Sequence, residues 1–105
     1  EVFHEYLRAF KLPGTIRATL EDYRAAASID LEHDEADLQK KIKCPVLTLW
    51  SNTNKTMEIF DVVKIWQERA VNVKGQSLDS GHFIPEENPE ILLNVMVPFI
   101  RDVIT

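Results

Sequence analysis

Cys44 is the only cysteine in the chain, which excludes an internal disulfide and any cysteine-rich metal site. Standing before Pro45 at the head of an apolar segment, it reads as a buried thiol behaving as a small hydrophobe. Positive charge is short as well. The chain has 12 Lys and Arg against 17 Asp and Glu, a formal charge of −5, and its one basic cluster, Lys40-Lys41-Ile42-Lys43, is too small to neutralise a phosphate surface. That excludes a nucleic-acid partner and an anionic membrane. No apolar run approaches the roughly 20 residues that span a bilayer, and Glu1-Val2-Phe3-His4-Glu5 carries neither a basic region nor a cleavage signal. The expected address is cytoplasmic. Internal repeats and low-complexity tracts are missing, and the text opens without Met, which suggests a fragment or a processed product.

What is present, 45% hydrophobic and 28% charged residues over 105 positions, suits one small globular domain at most. Phe3, Tyr6, Leu7 and Phe10 recur at spacings of three and four, so residues 1 to 11 are predicted to form a helix that ends at Leu12-Pro13-Gly14. A second helix is expected from Thr15 as N-cap, with Ile16, Leu20, Tyr23 and Ala27 on one stripe. A third is expected over Asp34 to Lys41, with acids in its first turn and lysines in its last, as the helix dipole favours.

The pattern changes at Cys44. Val46-Leu47-Thr48-Leu49-Trp50 is a near-continuous apolar run, the signature of a parallel strand buried on both faces. Ser51 to Lys55 interrupt it, and Thr56 can cap a helix from Met57 to Ala70 whose inner face is Ile59, Val62, Val63 and Trp66. Val71 to Leu78 then returns as a second strand, completing a β-α-β unit. Asn88 as N-cap and Pro89 at the first helical position open a last helix, with Leu92, Val95, Met96, Phe99 and Val103 inward. Pro98 should kink or end that helix between Asn94 and Pro98. Two parallel strands leave long unpaired edges, which templates association with another chain. The expectation is a homo-oligomer, in one form a dimer that exchanges strands or the terminal helix.

The chemistry centres on Gly81-His82-Phe83, between the second strand and the helical opening Pro85-Glu86-Glu87-Asn88-Pro89. Histidine titrates near neutrality, and a loop at a strand's carboxyl end leaves its imidazole accessible, so His82 is a candidate general base. A solvent-facing loop histidine is the plainer alternative. No Gly-x-Ser-x-Gly elbow or aspartate equivalent occurs among Gly14, Gly75 and Gly81, so the chain carries no evident nucleophile. A local dyad of His82 with Ser77, Asp79 or Ser80 is disfavoured, because such groups are normally gathered from separate segments. The acids between Asp30 and Asp37 match neither an EF-hand loop nor a HExxH helix and read as a solvated turn, so no metal is expected.

Three stretches, Glu21-Asp22-Tyr23-Arg24-Ala25-Ala26-Ala27-Ser28-Ile29-Asp30-Leu31-Glu32-His33-Asp34, Cys44-Pro45-Val46-Leu47-Thr48-Leu49-Trp50 and Ser80-Gly81-His82-Phe83-Ile84-Pro85-Glu86-Glu87, together resemble the haloacetate (fluoroacetate) dehalogenases of the α/β-hydrolase superfamily. The resemblance runs over essentially the whole chain and corresponds to that family's C-terminal part. It implies an α/β fold, with residues 1–43 derived from the helical cap and residues 44–105 forming the last β-α-β-α part of the core. It also implies that an upstream aspartate displaces halide from a small haloacid and that His82 activates the water that hydrolyses the resulting ester. No cofactor is implied. Tyr23 matches the cap tyrosine that donates to the departing halide, although on its stripe with Leu20 and Ala27 it could equally be a core residue. Trp50 at a strand's carboxyl end is either a packing residue or the border of a pocket. Many α/β-hydrolases place their third triad member after the penultimate strand, where this chain has Asn52 and Asn54; the dehalogenases leave that position vacant and use an acid after the preceding strand. Ser51 departs from the family's usual glycine. By this reading the 105 residues alone are catalytically incomplete. The alternatives are a relative of the epoxide hydrolases and an orphaned piece acting as a small oligomerising or partner-binding protein.

Overall fold

The computed structural model describes residues 1–55 and 59–104, which form two compact units, Glu1–Gln39 and Lys40–Thr105. Among the described residues no helix is long and apolar enough to cross a membrane.

The first unit contains α1 (Val2–Phe10), α2 (Thr15–Ala26) and α3 (Ile29–Ala36). The turn between α1 and α2 depends on Gly14, which takes φ 88°, a left-handed conformation open to glycine at little cost. Gly14 is therefore the N-cap of α2. Thr15, expected in that role, is the first helical residue, and its hydroxyl donates back to the Ala9 carbonyl at 3.3 Å. The third helix also starts earlier than its charges suggested, at Ile29 after Ser28, with Asp30 and Glu32 as the first-turn acids. Lys40 and Lys41 are not helical. Just beyond them the backbone is taken by the sheet: the Ile42 N–H donates to the Arg69 carbonyl at 2.8 Å and the Val71 N–H to the Ile42 carbonyl at 3.0 Å. The apolar stripes are real, yet Phe3, Tyr6, Phe10, Ile16 and Leu20 are all exposed.

The second unit is β1 (Val46–Ser51), α4 (Val62–Arg69), β2 (Val73–Leu78), the one-turn α5 (Ile84–Glu87) and α6 (Pro89–Ile104). β1 and β2 pair in parallel, Val46 opposite Val73 through Ser51 opposite Leu78, as the β-α-β pattern predicted. Gly75 is required by this pairing. A Cβ there would stand 2.9 Å from the Thr48 carbonyl oxygen and 3.0 Å from Val63 Cγ2, so only a hydrogen lets strand and helix approach this closely. The helix begins at Val62 rather than Met57, because the Asp61 carboxylate accepts from the Lys64 N–H at 3.0 Å and caps it. Ile59 therefore precedes the helix, and the expected cap Thr56 and start Met57 lie outside the described residues.

α6 runs unbroken from Pro89 to Ile104, so Pro98 neither ends nor shortens it. The carbonyl that loses its donor belongs to Asn94, which is exposed like Pro98, and water can satisfy it. Leu92, Val95, Met96 and Phe99 are half-buried as expected, whereas Val103 is exposed. The strand expected to be buried on both faces is mostly half-buried, and Cys44 is exposed rather than buried. Among the described residues, Ala70 and Leu78 are the fully buried hydrophobics.

Candidate active site

Because β1 and β2 are parallel and end side by side at Ser51 and Leu78, the loops after them lie together at the carboxyl edge of the sheet. They are laced to one another. The Asn52 N–H continues the ladder to the Leu78 carbonyl at 2.9 Å. Next, the Ser51 hydroxyl donates to the Ser80 carbonyl at 2.6 Å, and the Thr53 hydroxyl donates to the same oxygen at 3.1 Å. The Asn52 amide reaches the Asp79 carboxylate at 3.2 Å, and the Asn88 amide reaches the Asp79 carbonyl at 3.1 Å. Ser51 itself is buried, so its hydroxyl bond is made away from water, where an unmatched carbonyl would be costly. Ser51 thus does what a glycine at this position could not, since it ties the two loops by a side chain.

His82 sits on the second loop and is exposed, with its ring edge-on to Phe83 at 4.9 Å between centroids. The residues on either side of it are held from α5 and its capping turn. Glu87 accepts from the Gly81 N–H at 2.8 Å through Oε2 and from the Phe83 N–H at 3.0 Å through Oε1. His82 borders a hollow of about 190 Å³ together with Leu49, Trp50, Ser51, Asn54 and Ile84. A larger hollow of about 280 Å³ lies beside Phe60, Val62, Ile65 and Trp66, and its walls are wholly apolar with no group suited to proton transfer.

Of the three residues singled out from sequence, the fold brings His82 and Trp50 to one hollow at the carboxyl edge of a parallel sheet, where ligands bind in open α/β folds. Tyr23 lies on α2 in the first unit and is 74% exposed, so it is not a core tyrosine there. Among the described residues no carboxylate or hydroxyl hydrogen-bonds the His82 imidazole, and no three His, Cys, Asp or Glu side chains gather as a metal site. The Asp79 carboxylate is engaged by Asn52 instead. Sequence reasoning missed Glu87. Its signal was its place in the turn after Gly81-His82-Phe83, but nothing in that spacing distinguishes it from its neighbour Glu86.

No protein-family model matches the sequence. A fluoroacetate dehalogenase from Burkholderia sp is 29% identical over 102 residues, which is 97% of this chain and 34% of that protein. A soluble epoxide hydrolase from Corynebacterium sp. (strain C12) is 33% identical over 96 residues, 90% of this chain and 32% of that protein. A crystal structure of a protein from Nostoc sp PCC 7120, described as an alpha/beta hydrolase, superposes with a TM-score of 0.85 at 52% identity, covering 92% of this chain and 33% of that one. The chain spans about a third of the length of each of these relatives. Helices followed by a parallel β-α-β unit and a terminal helix, shared with such relatives, make this chain the C-terminal portion of an α/β-hydrolase fold.

Proposed function

We propose that this chain supplies the general base and part of the pocket of a hydrolytic dehalogenase acting on small haloacids, the remaining machinery being carried by polypeptide outside these 105 residues. The observation that carries the reading is the placement of His82 on the hollow at the carboxyl edge of β1 and β2, with Trp50 as its neighbour. In the proposed reaction a carboxylate oxygen of an aspartate attacks the α-carbon, and the carbon–halogen bond breaks with its electron pair leaving on the halide. His82 then takes a proton from water, the resulting hydroxide adds to the ester carbonyl, and the carbonyl carbon's bond to the substrate oxygen breaks; the aspartate is regenerated on the protein, and the departing alkoxide takes the proton back from His82 and leaves as the 2-hydroxy acid. Tyr23 is assigned to the halide end of the pocket by resemblance. Similarity to a soluble epoxide hydrolase supports a variant in which the aspartate opens an epoxide, no group departs, and His82 hydrolyses the ester in the same way. The chain alone is expected to give no turnover.

The test uses the protein expressed from its complete gene. Halide release from fluoroacetate and chloroacetate, and diol formation from a small epoxide, are measured for the native protein and for His82→Ala. The variant should release about one halide per chain and stop, with the ester trapped and visible by intact mass. Continued turnover by His82→Ala at the native rate would refute the assignment.

The two-stranded sheet of the described residues favours a second reading for the chain taken alone, self-association through the outer edges of β1 and β2. Sedimentation of the 105-residue chain should give a dimer, and a stable monomer in dilute solution would rule it out.

A further inference from the structure

Glu87 has no part in the reaction outlined above, yet its carboxylate is committed entirely to the histidine loop. One oxygen accepts from the N–H before His82 and the other from the N–H after it, so the two bonds straddle the imidazole-bearing residue. The loop's other side-chain braces, the pair of hydroxyls on the Ser80 carbonyl and the Asn52 and Asn88 amides on Asp79, all act before Gly81. Gly81 is fitted to the same carboxylate. A Cβ at that position would collide with Oε2 and would stand 2.7 Å from Oε1, so the glycine makes room for the glutamate. Because α5 is a single turn, Glu87 stands at its end and leads directly into Asn88, whose side chain is tied to the Asp79 carbonyl. Both ends of the loop are therefore fastened to the α5–α6 junction.

We propose that Glu87 is the positioning residue for His82: it fixes the backbone on both sides of the histidine and thereby aims the imidazole into the hollow beside Trp50. The proposal rests on the reading of His82 as general base, and it acts only on ester hydrolysis, the step that needs a directed water. Displacing a general base by as little as an ångström costs about a hundredfold in rate, so loss of both bonds in Glu87→Ala is expected to lower kcat about tenfold to a hundredfold. Glu87→Gln keeps one accepting oxygen and should fall between. Gly81→Ala evicts the carboxylate and should resemble Glu87→Ala, and the two changes combined should cost no more than either alone.

The experiment uses the protein expressed from its complete gene, selectively labelled with 15N-histidine. In Glu87→Ala the heteronuclear NOE of the His82 amide should drop to that of a chain terminus, the ester should accumulate, the halide burst should be retained, and KM should fall together with kcat so that kcat/KM stays within twofold, because only the step after halide release is slowed. Wild-type order and wild-type kcat in Glu87→Ala would overturn the proposal. So would loss of order without loss of rate, or loss of rate with the loop still ordered. Should Glu87→Ala fail to fold, Glu87→Gln carries the same readings. If His82→Ala turns over normally, the reading of His82 fails, and the NOE still decides whether Glu87 holds the loop.

Discussion

Replacing Gly75 by Ala tests whether the close approach of β1, β2 and α4 is a requirement of this fold. The added Cβ would meet the Thr48 carbonyl oxygen at 2.9 Å, Val63 Cγ2 at 3.0 Å and Trp50 Cζ3 at 3.2 Å. Comfortable carbon contacts lie at about 3.5–4.0 Å, so all three are too near. The valine and tryptophan atoms can retreat slightly. The carbonyl cannot, because Thr48 is the residue paired with Gly75 in the sheet. Overpacking of this kind costs about 1–3 kcal/mol. Alanine recovers about 0.5–1 kcal/mol through its smaller backbone entropy loss. The net expectation is a destabilisation of about 0.5–2 kcal/mol, read as a lower urea midpoint at unchanged m-value. In a Trp66→Phe background, Trp50 fluorescence should shift as well, since its ring is one of the three contacts. Gly14→Ala is the control: its Cβ meets nothing within 4 Å, and its cost, about 1 kcal/mol from a φ of 88°, should leave Trp50 undisturbed. A Gly75→Ala protein with native midpoint and native Trp50 emission would refute the reasoning.

Ser51→Ala removes the buried hydroxyl bond to the Ser80 carbonyl and the acceptor for the Thr53 N–H. The cost should be about 1 kcal/mol, with faster amide exchange at Thr53, because the Thr53 hydroxyl still serves the Ser80 carbonyl; an unchanged midpoint and exchange rate would refute it. The Arg8 guanidinium hydrogen-bonds the Glu5 carboxylate and holds its pKa below the usual carboxylate value. A depressed folded-state pKa adds stability above the unfolded pKa and loses it as pH falls through the folded one, although full exposure keeps this contribution small and salt-sensitive. Arg8→Ala should therefore raise the Glu5 pKa in an NMR titration, and so should molar salt.

Where a single local signal decides the outcome, the sequence was readable. The apolar run from Val46 to Trp50, flanked by Pro45 and a polar stretch, could hardly be anything but a strand, and Asn88-Pro89 opens α6 as its chemistry requires. Gly81-His82-Phe83 marked the loop that reaches the hollow. The errors arose where two local options compete and distant residues choose between them. Lys40 and Lys41 suit a helix end, but the backbone beyond them bonds to Arg69 and Val71, some thirty residues away. Asp61 and Thr56 are both acceptable caps by residue type; Asp61 caps the helix that starts at Val62, and Val63 of that helix packs against Gly75 of β2. Pro98 was overrated because its penalty depends on whether the orphaned carbonyl can reach water, which an exposed Asn94 permits. The roles of Ser51 and Glu87 were hidden for the same reason, since each acts on a backbone atom of another loop or turn.

The parallel register has a consequence for how the site comes into being. Each pair in the sheet joins residues 27 apart, as from Val46 to Val73 and from Ser51 to Leu78. Closing a loop of that length costs about 3 kcal/mol before any contact repays it. No hairpin can form first and recruit the rest. Trp50 stands on one side of that closure and His82 on the other, so both walls of the hollow arrive in the same folding event. A chain caught before it closes has a histidine but no cavity for it to serve, and the site switches on with folding as a unit rather than improving by stages.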